Sequence, residues 1–181
     1  MSHTVETEAA ESGSAYARDA VAVIGLFLLA AVVAGLVWPH LVTPVQVTRN
    51  EFGVSTSEVA LSERFDNDGW YAVIAAVLGL ALGAVASYWR RTNEIVTLLL
   101  SVAGAFLAAW VMAEVGTWVG PADPATVLAD AEVGATATAM VAVTADAAYY
   151  VWPIATLVGA LVVLWSPPGQ PLVSRGSATP D

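Results

Sequence analysis

The chain has 181 residues, 57% of them hydrophobic and only 12% charged, a balance that excludes an ordinary water-soluble domain. Its six basic residues are all arginine and stand against sixteen acids, and a net charge of -10 without a basic cluster argues against a nucleic-acid partner. With no cysteine there are no disulfides, thiolate nucleophiles or cysteine zinc sites. Histidine occurs only at His3 and His40, so an imidazole metal cluster is not expected; carboxylates alone could still hold calcium or magnesium, and no cofactor is implied.

Residues 1–19 are polar and acidic (Glu6, Glu8, Glu11) and read as a mobile tail that turns helical towards Arg18. Residues 20–38 then form an uncharged apolar run. A cleaved signal peptide has a basic amino-terminal region and a shorter apolar core. Here the flank is acidic apart from Arg18, so the sequence favours a retained membrane helix ended by Pro39.

A loop follows, residues 39–69. PVQVTR and GVSTSEVAL alternate apolar and polar residues around Asn50 to Gly53, which predicts two short strands joined by a tight turn. Asp66, Asn67 and Asp68 precede the next apolar run and suit the free N–H groups of a helix beginning near Gly69. They do not form a calcium loop, because the alternating ligands are incomplete and no closing glutamate is present.

Two further runs, residues 70–89 and 95–118, flank the charged turn that holds Arg90 and Arg91. At about 1.5 Å per residue, a helix of roughly 20 residues crosses the hydrocarbon core of a bilayer. The pair therefore reads as a helical hairpin crossing a membrane twice. A second loop spans residues 119–146. It opens with Pro121-Ala122-Asp123-Pro124, a start signal for a short helix broken at Gly134, and continues as a strand over residues 135–144. The last run, residues 147–165, carries Pro153 in its first turns, where a missing N–H costs least. The proline-rich stretch 166–181 reads as a second mobile tail.

Arginine placement sets the threading. Arg18, Arg90, Arg91 and Arg175 share one side, Arg49 and Arg64 the other, which predicts a cell-membrane protein with both termini cytoplasmic. Trp38, Trp70, Tyr71, Trp118, Tyr149, Tyr150 and Trp152 would then form an outer aromatic belt, and Tyr88, Trp89 and Trp165 an inner one. The expected fold is an all-α membrane protein: a four-transmembrane-helix bundle under a small extracytoplasmic, β-containing cap made by the two outer loops.

Few residues suggest chemistry. Glu114 is the one acid near the hydrocarbon region and is a candidate proton or cation site; the blander reading has it reach the interface or pair with Arg49 or Arg64. Asp66 and Asp68 are candidate carboxylates, with helix capping as the simpler role. Arg90 and Arg91 could hold anionic headgroups or simply mark topology. Gly79, Gly83 and Ser87 make a small-residue ridge; Ser101, Gly104 and Ala108 make another, and Ala30, Ala31, Ala34 and Gly35 a third. Such ridges pack helices within a bundle or face a second copy. No nucleophile elbow, phosphate loop or zinc-protease spacing occurs. Each half runs span, outer loop, span, a hint of a parallel repeat.

WPHLVTPVQVTRNEFG, RFDNDGWYAV and YYVWPIATLVGALVVLW together resemble a family of four-pass actinobacterial membrane proteins with no assigned activity. The resemblance covers residues 20–165 and implies the four-pass fold, but no site residue. The functional expectation is a non-enzymatic accessory or scaffold protein of the cell envelope. It would act on the lipid bilayer side through helix faces and outer loops, towards a membrane-protein partner or a second copy. A small transporter or channel component using Glu114 is the alternative. A membrane enzyme acting on lipid or cell-wall precursors, with Asp66 or Asp68 as base, comes third.

Overall fold

The computed structural model describes residues 2–51, 53–55, 58–89 and 94–166, with side chains for 17–51, 66–89 and 95–166. Arg90, Arg91 and the tail from residue 167 on lie outside the described residues, as does the Arg64 side chain. Along the chain run α1 (Ser2–Leu41), β1 (Gln46–Asn50), β2 (Gly53–Ser55), α2 (Glu58–Trp89) and α3 (Glu94–Val119). After these come the single-turn α4 (Pro124–Val127), β3 (Thr136–Thr138), a 3-10 segment (Asp146–Tyr150) and α5 (Val151–Trp165).

Four helices are long and apolar enough to cross a membrane, at Ala17–Leu41, Asp66–Trp89, within Ile95–Val127, and at Asp146–Trp165. The third of these ends as a helix at Val119. Four of the predicted boundaries shift. Helix α1 starts at Ser2 instead of near residue 20: a long helix, once nucleated, extends through Ala- and Glu-rich sequence at little cost per residue. It also continues past Pro39 to Leu41, since a proline in the last turn forfeits one N–H bond but leaves the preceding helix intact. Helix α2 begins at Glu58, taking the last four residues of the segment read as a second strand, and β2 keeps only three. The strand expected over 135–144 is likewise reduced to Thr136–Thr138.

The segments that follow α1 and α3 do build one sheet, in the order β2-β1-β3. β1 and β2 pair as an antiparallel hairpin closing at Asn50 and Gly53. β3 joins β1 on the other side, antiparallel, with Val47 opposite Ala137. Helix α4 forms as the Asp123-Pro124 signal predicts: the Asp123 carboxylate caps the Ala125 N–H at 2.9 Å.

Neighbours in sequence are not the main neighbours in space. α1 packs chiefly on α3 and α2 chiefly on α5; α3 also touches α5, whereas α1 with α2, and α2 with α3, meet only slightly. Both principal pairs are parallel. Phe27 lies over Gly104, Gly35 meets Met112 and Val115, and Trp38 covers Gly116, so residue numbers rise together along α1 and α3. In the other pair Gly79 faces Trp152 and Ala155, Gly83 faces the Thr156 carbonyl, and Gly159 faces the Leu80 carbonyl. All the predicted small-residue ridges therefore turn inward. Ser87, Ala108 and Ser101 are buried with them. Within lipid, where apolar burial supplies no drive between helices, close backbone approach at such residues is what holds them.

The belt prediction is half corrected. Trp118, Tyr150, Tyr88, Trp89 and Trp165 are exposed at the bundle ends, where amphipathic rings sit at headgroup level, and Trp70 is partly so. Trp38, Tyr71 and Trp152, by contrast, are fully buried. The Trp38 ring fills the space above Gly116.

Candidate functional site at the junction of cap and bundle

The candidate acids of the first loop sit eight to ten residues inside α2, which corrects the expectation that they cap its start. A carboxylate there has no free N–H of its own helix to accept, so it reaches across to other elements. Asp66 Oδ2 accepts the Thr43 N–H at 3.4 Å. Asp68 accepts three bonds from the second loop: the Thr144 N–H at 2.8 Å, the Thr144 hydroxyl at 2.6 Å and the Ala145 N–H at 3.1 Å. Ala145 is the residue that opens the 3-10 turn leading into α5, and it has no side-chain cap of its own. Asp68 thus latches the two residues that lead into that turn, with its charge near the positive end of the dipole.

Between these acids, the Asn67 carbonyl accepts the Trp38 indole N–H at 3.1 Å, tying α2 to α1. The Asn67 side chain is buried and its Oδ1 has no partner. It lines a cavity of about 40 Å³ beneath the sheet with Thr43, Thr138 and Val141, enough room for an ordered water by the usual threshold of roughly 10–15 Å³. On the cap itself Arg49, half-buried, donates to the carbonyls of Leu128 and Ala129 at the end of α4. Its guanidinium is therefore engaged in holding the second loop, away from the pairing with Glu114 that was one alternative for that acid.

Below the cap an aromatic cluster closes the bundle. Trp38 meets Tyr71 edge-on at 5.4 Å between centroids, and Tyr71 meets Tyr149 at 6.0 Å. The Tyr71 hydroxyl donates to the Ala109 carbonyl of α3 at 2.7 Å, so one side chain joins α1, α3 and the 3-10 segment. One turn deeper Phe27 and Trp152 stand 6.5 Å apart.

Three acids approach this cluster from different elements. Glu114 of α3, Asp146 of the 3-10 segment and Asp68 of α2 all stand within electrostatic reach of the Tyr149 hydroxyl. The fold therefore brings Glu114 and Asp68 into one neighbourhood and adds Asp146, which the sequence reading passed over. The signal was available: Asp68-Gly-Trp-Tyr71 and Asp146-Ala-Ala-Tyr149 repeat the same spacing at the start of spans two and four. Glu114 itself is exposed. Asp66 keeps to the Thr43 side, and the ridge residues Gly79, Gly83, Ser87, Gly104 and Ala108 serve the helix seams below. Among the described residues, no three His, Cys, Asp or Glu side chains converge closely enough to hold a metal ion. The arrangement concentrates negative potential at the cap end of the bundle, which attracts cations.

Comparison of the chain with protein-family models, curated proteins and solved structures finds no match in any of the three.

Proposed function

We propose that this is a non-catalytic integral protein of the cell membrane, with both termini cytoplasmic, whose extracytoplasmic cap docks a partner protein of the envelope. The observation that carries this reading is the construction of the cap. Both loops contribute strands to one sheet, and the loop segments that flank it are fastened to α2 through Asp66 and Asp68. A fastened sheet with β3 at its edge offers backbone groups for a partner strand. Beside that edge Val127 and Val133 are 55% and 64% exposed, outside the helical spans, where lipid contact does not account for them. The kinship with four-pass actinobacterial proteins belongs to the same proposal.

The test is a photo-reactive residue at Val133, irradiated in native membranes. A discrete adduct with one envelope protein, or with a second copy, supports the docking role. Recovery of monomer and lipid alone contradicts it.

A second reading, a small cation transporter or channel component, draws support from the acids around Tyr149. Under that reading Glu114→Gln abolishes uptake in vesicles, and unchanged uptake removes it. A membrane enzyme with Asp68 as base draws less support, because both oxygens of that carboxylate already accept hydrogen bonds from the second loop.

A further inference from the structure

Three hydrogen-bonding side-chain atoms in the middle of the bundle have no partner: Ser101 Oγ on α3, and Trp152 Nε1 and Thr156 Oγ1 on α5. All three residues are at most 1% exposed. They lie in one region of the interior. Phe27 touches both Gly104 and Trp152, which sets Trp152 level with Gly104. One turn nearer the Trp89 end, Ser101 and Thr156 follow on two helices that pack against each other. Further along, Ser87 of α2 and Thr97 of α3 keep the buried interior polar to that end of the bundle. At the opposite end Trp38, Tyr71 and Tyr149 close it with rings.

In hydrocarbon an unpartnered polar group has no water to fall back on. A buried hydroxyl has a local escape, since Ser and Thr can rotate to bond a carbonyl one turn back on their own helix. The indole N–H of Trp152 has none, because its direction is fixed by a ring wedged against Phe27. A donor of that kind needs a partner from outside the chain. The ligand must accept from an indole and both donate to and accept from two hydroxyls, with no charge to compensate.

We propose that the interior between the α1/α3 and α2/α5 pairs is a hydration path, opening at the Trp89 end and closed at the cap end by the Trp38–Tyr71–Tyr149 cluster. Water enters along Ser87 and Thr97 and reaches Ser101, Thr156 and the Trp152 N–H. The glycine seams stay shut, because backbone meets backbone there; the slight α2/α3 contact, where Ser87 and Thr97 lie, is the one that parts. This path goes beyond the docking role of the cap and stands or falls without it.

The chain has no cysteine, so single cysteines report without background. Ser101→Cys and Thr156→Cys, in lipid nanodiscs, are treated with a small cationic methanethiosulfonate, beside Leu99→Cys on the lipid face and Ala31→Cys inside the α1/α3 seam. Both interior thiols are expected to react at least ten times faster than either control, because only a hydrated thiol ionises. Equal rates at all four positions, or no reaction at Ser101→Cys and Thr156→Cys, overturn the path. The unmodified chain supplies a second readout that needs no variant to fold. The Trp152 indole proton, followed by NMR after transfer to deuterated water, should exchange faster than the amides of the glycine seams; an indole proton as protected as those amides overturns the proposal.

Discussion

Two helix contacts in this bundle differ as sharply as their place in sequence would least suggest. α1 and α2, joined by one loop, leave between them an open groove of about 560 Å³, lined only by apolar side chains such as Leu26, Leu29, Val33, Val73 and Val77. α2 and α5, with α3 and the second loop between them in sequence, bring backbone against backbone at Gly79, Gly83 and Gly159. Composition explains the contrast. The groove is lined mostly by branched, larger residues, with Ala30 and Ala34 the small ones among them, while the seam is built on Gly79, Gly83 and Gly159. In lipid a Leu is as content against an acyl chain as against another Leu, so large residues do not select a partner helix and small ones do.

That contrast breaks first at Gly83. A Cβ there would collide with the Thr156 carbonyl, a backbone atom that cannot step aside. Gly83→Leu should cost at least the roughly 1–3 kcal/mol typical of overpacking. Its expected signature is loss of the folded monomer in thermal unfolding of the purified protein in detergent. Retained stability would mean that α2 and α5 do not meet there.

Asp68→Ala tests the cap in the same terms. Removing the carboxylate frees the N–H groups of Thr144 and Ala145 at the start of the fourth span, with an expected loss of about 1–3 kcal/mol. Hydrogen exchange should show it locally, as faster exchange at residues 144–150 with α1 and α3 unchanged. Uniform change across the bundle would contradict a local latch.

The smallest effect belongs to the groove. Leu29→Ala removes a side chain that is 64% exposed, and should change stability by no more than about 0.5 kcal/mol. A loss comparable to that at Gly83 would show that something occupies the groove and depends on Leu29.

The apolar runs made the four spans legible, because length and the absence of charge need no partner to be read. The hairpin of β1 and β2 was legible for a similar local reason, the Asn50 to Gly53 turn. What escaped the sequence was everything set by contacts across it. Small residues mark a face but not the helix it meets, so the ridges on α1, α2 and α3 were visible while their pairing was not. Gly159, which completes the α2/α5 seam, stood in the motif Ala155-x-x-x-Gly159 but was passed over. The acids at 66 and 68 look like caps because a cap is a local device; only the early start of α2 at Glu58 reveals that they act at a distance. Trp38, Tyr71 and Trp152 look like belt residues by position along their spans, and depth along the axis says nothing about facing inward.

The pairing itself is open to one direct measurement in this cysteine-free chain. The Cβ that a residue at 79 would carry stands 2.9 Å from that of Ala155, short of the roughly 3.5–4.5 Å of a disulfide, so the bond forms once the two helices ease apart by about 1 Å. Gly79→Cys with Ala155→Cys, under mild oxidant in native membranes, is expected to crosslink α2 to α5 within minutes, while Val33→Cys with Val77→Cys across the groove stays reduced. The reverse pattern, a bond between Cys at 33 and 77 and none between 79 and 155, would contradict the two parallel pairs on which the fold rests.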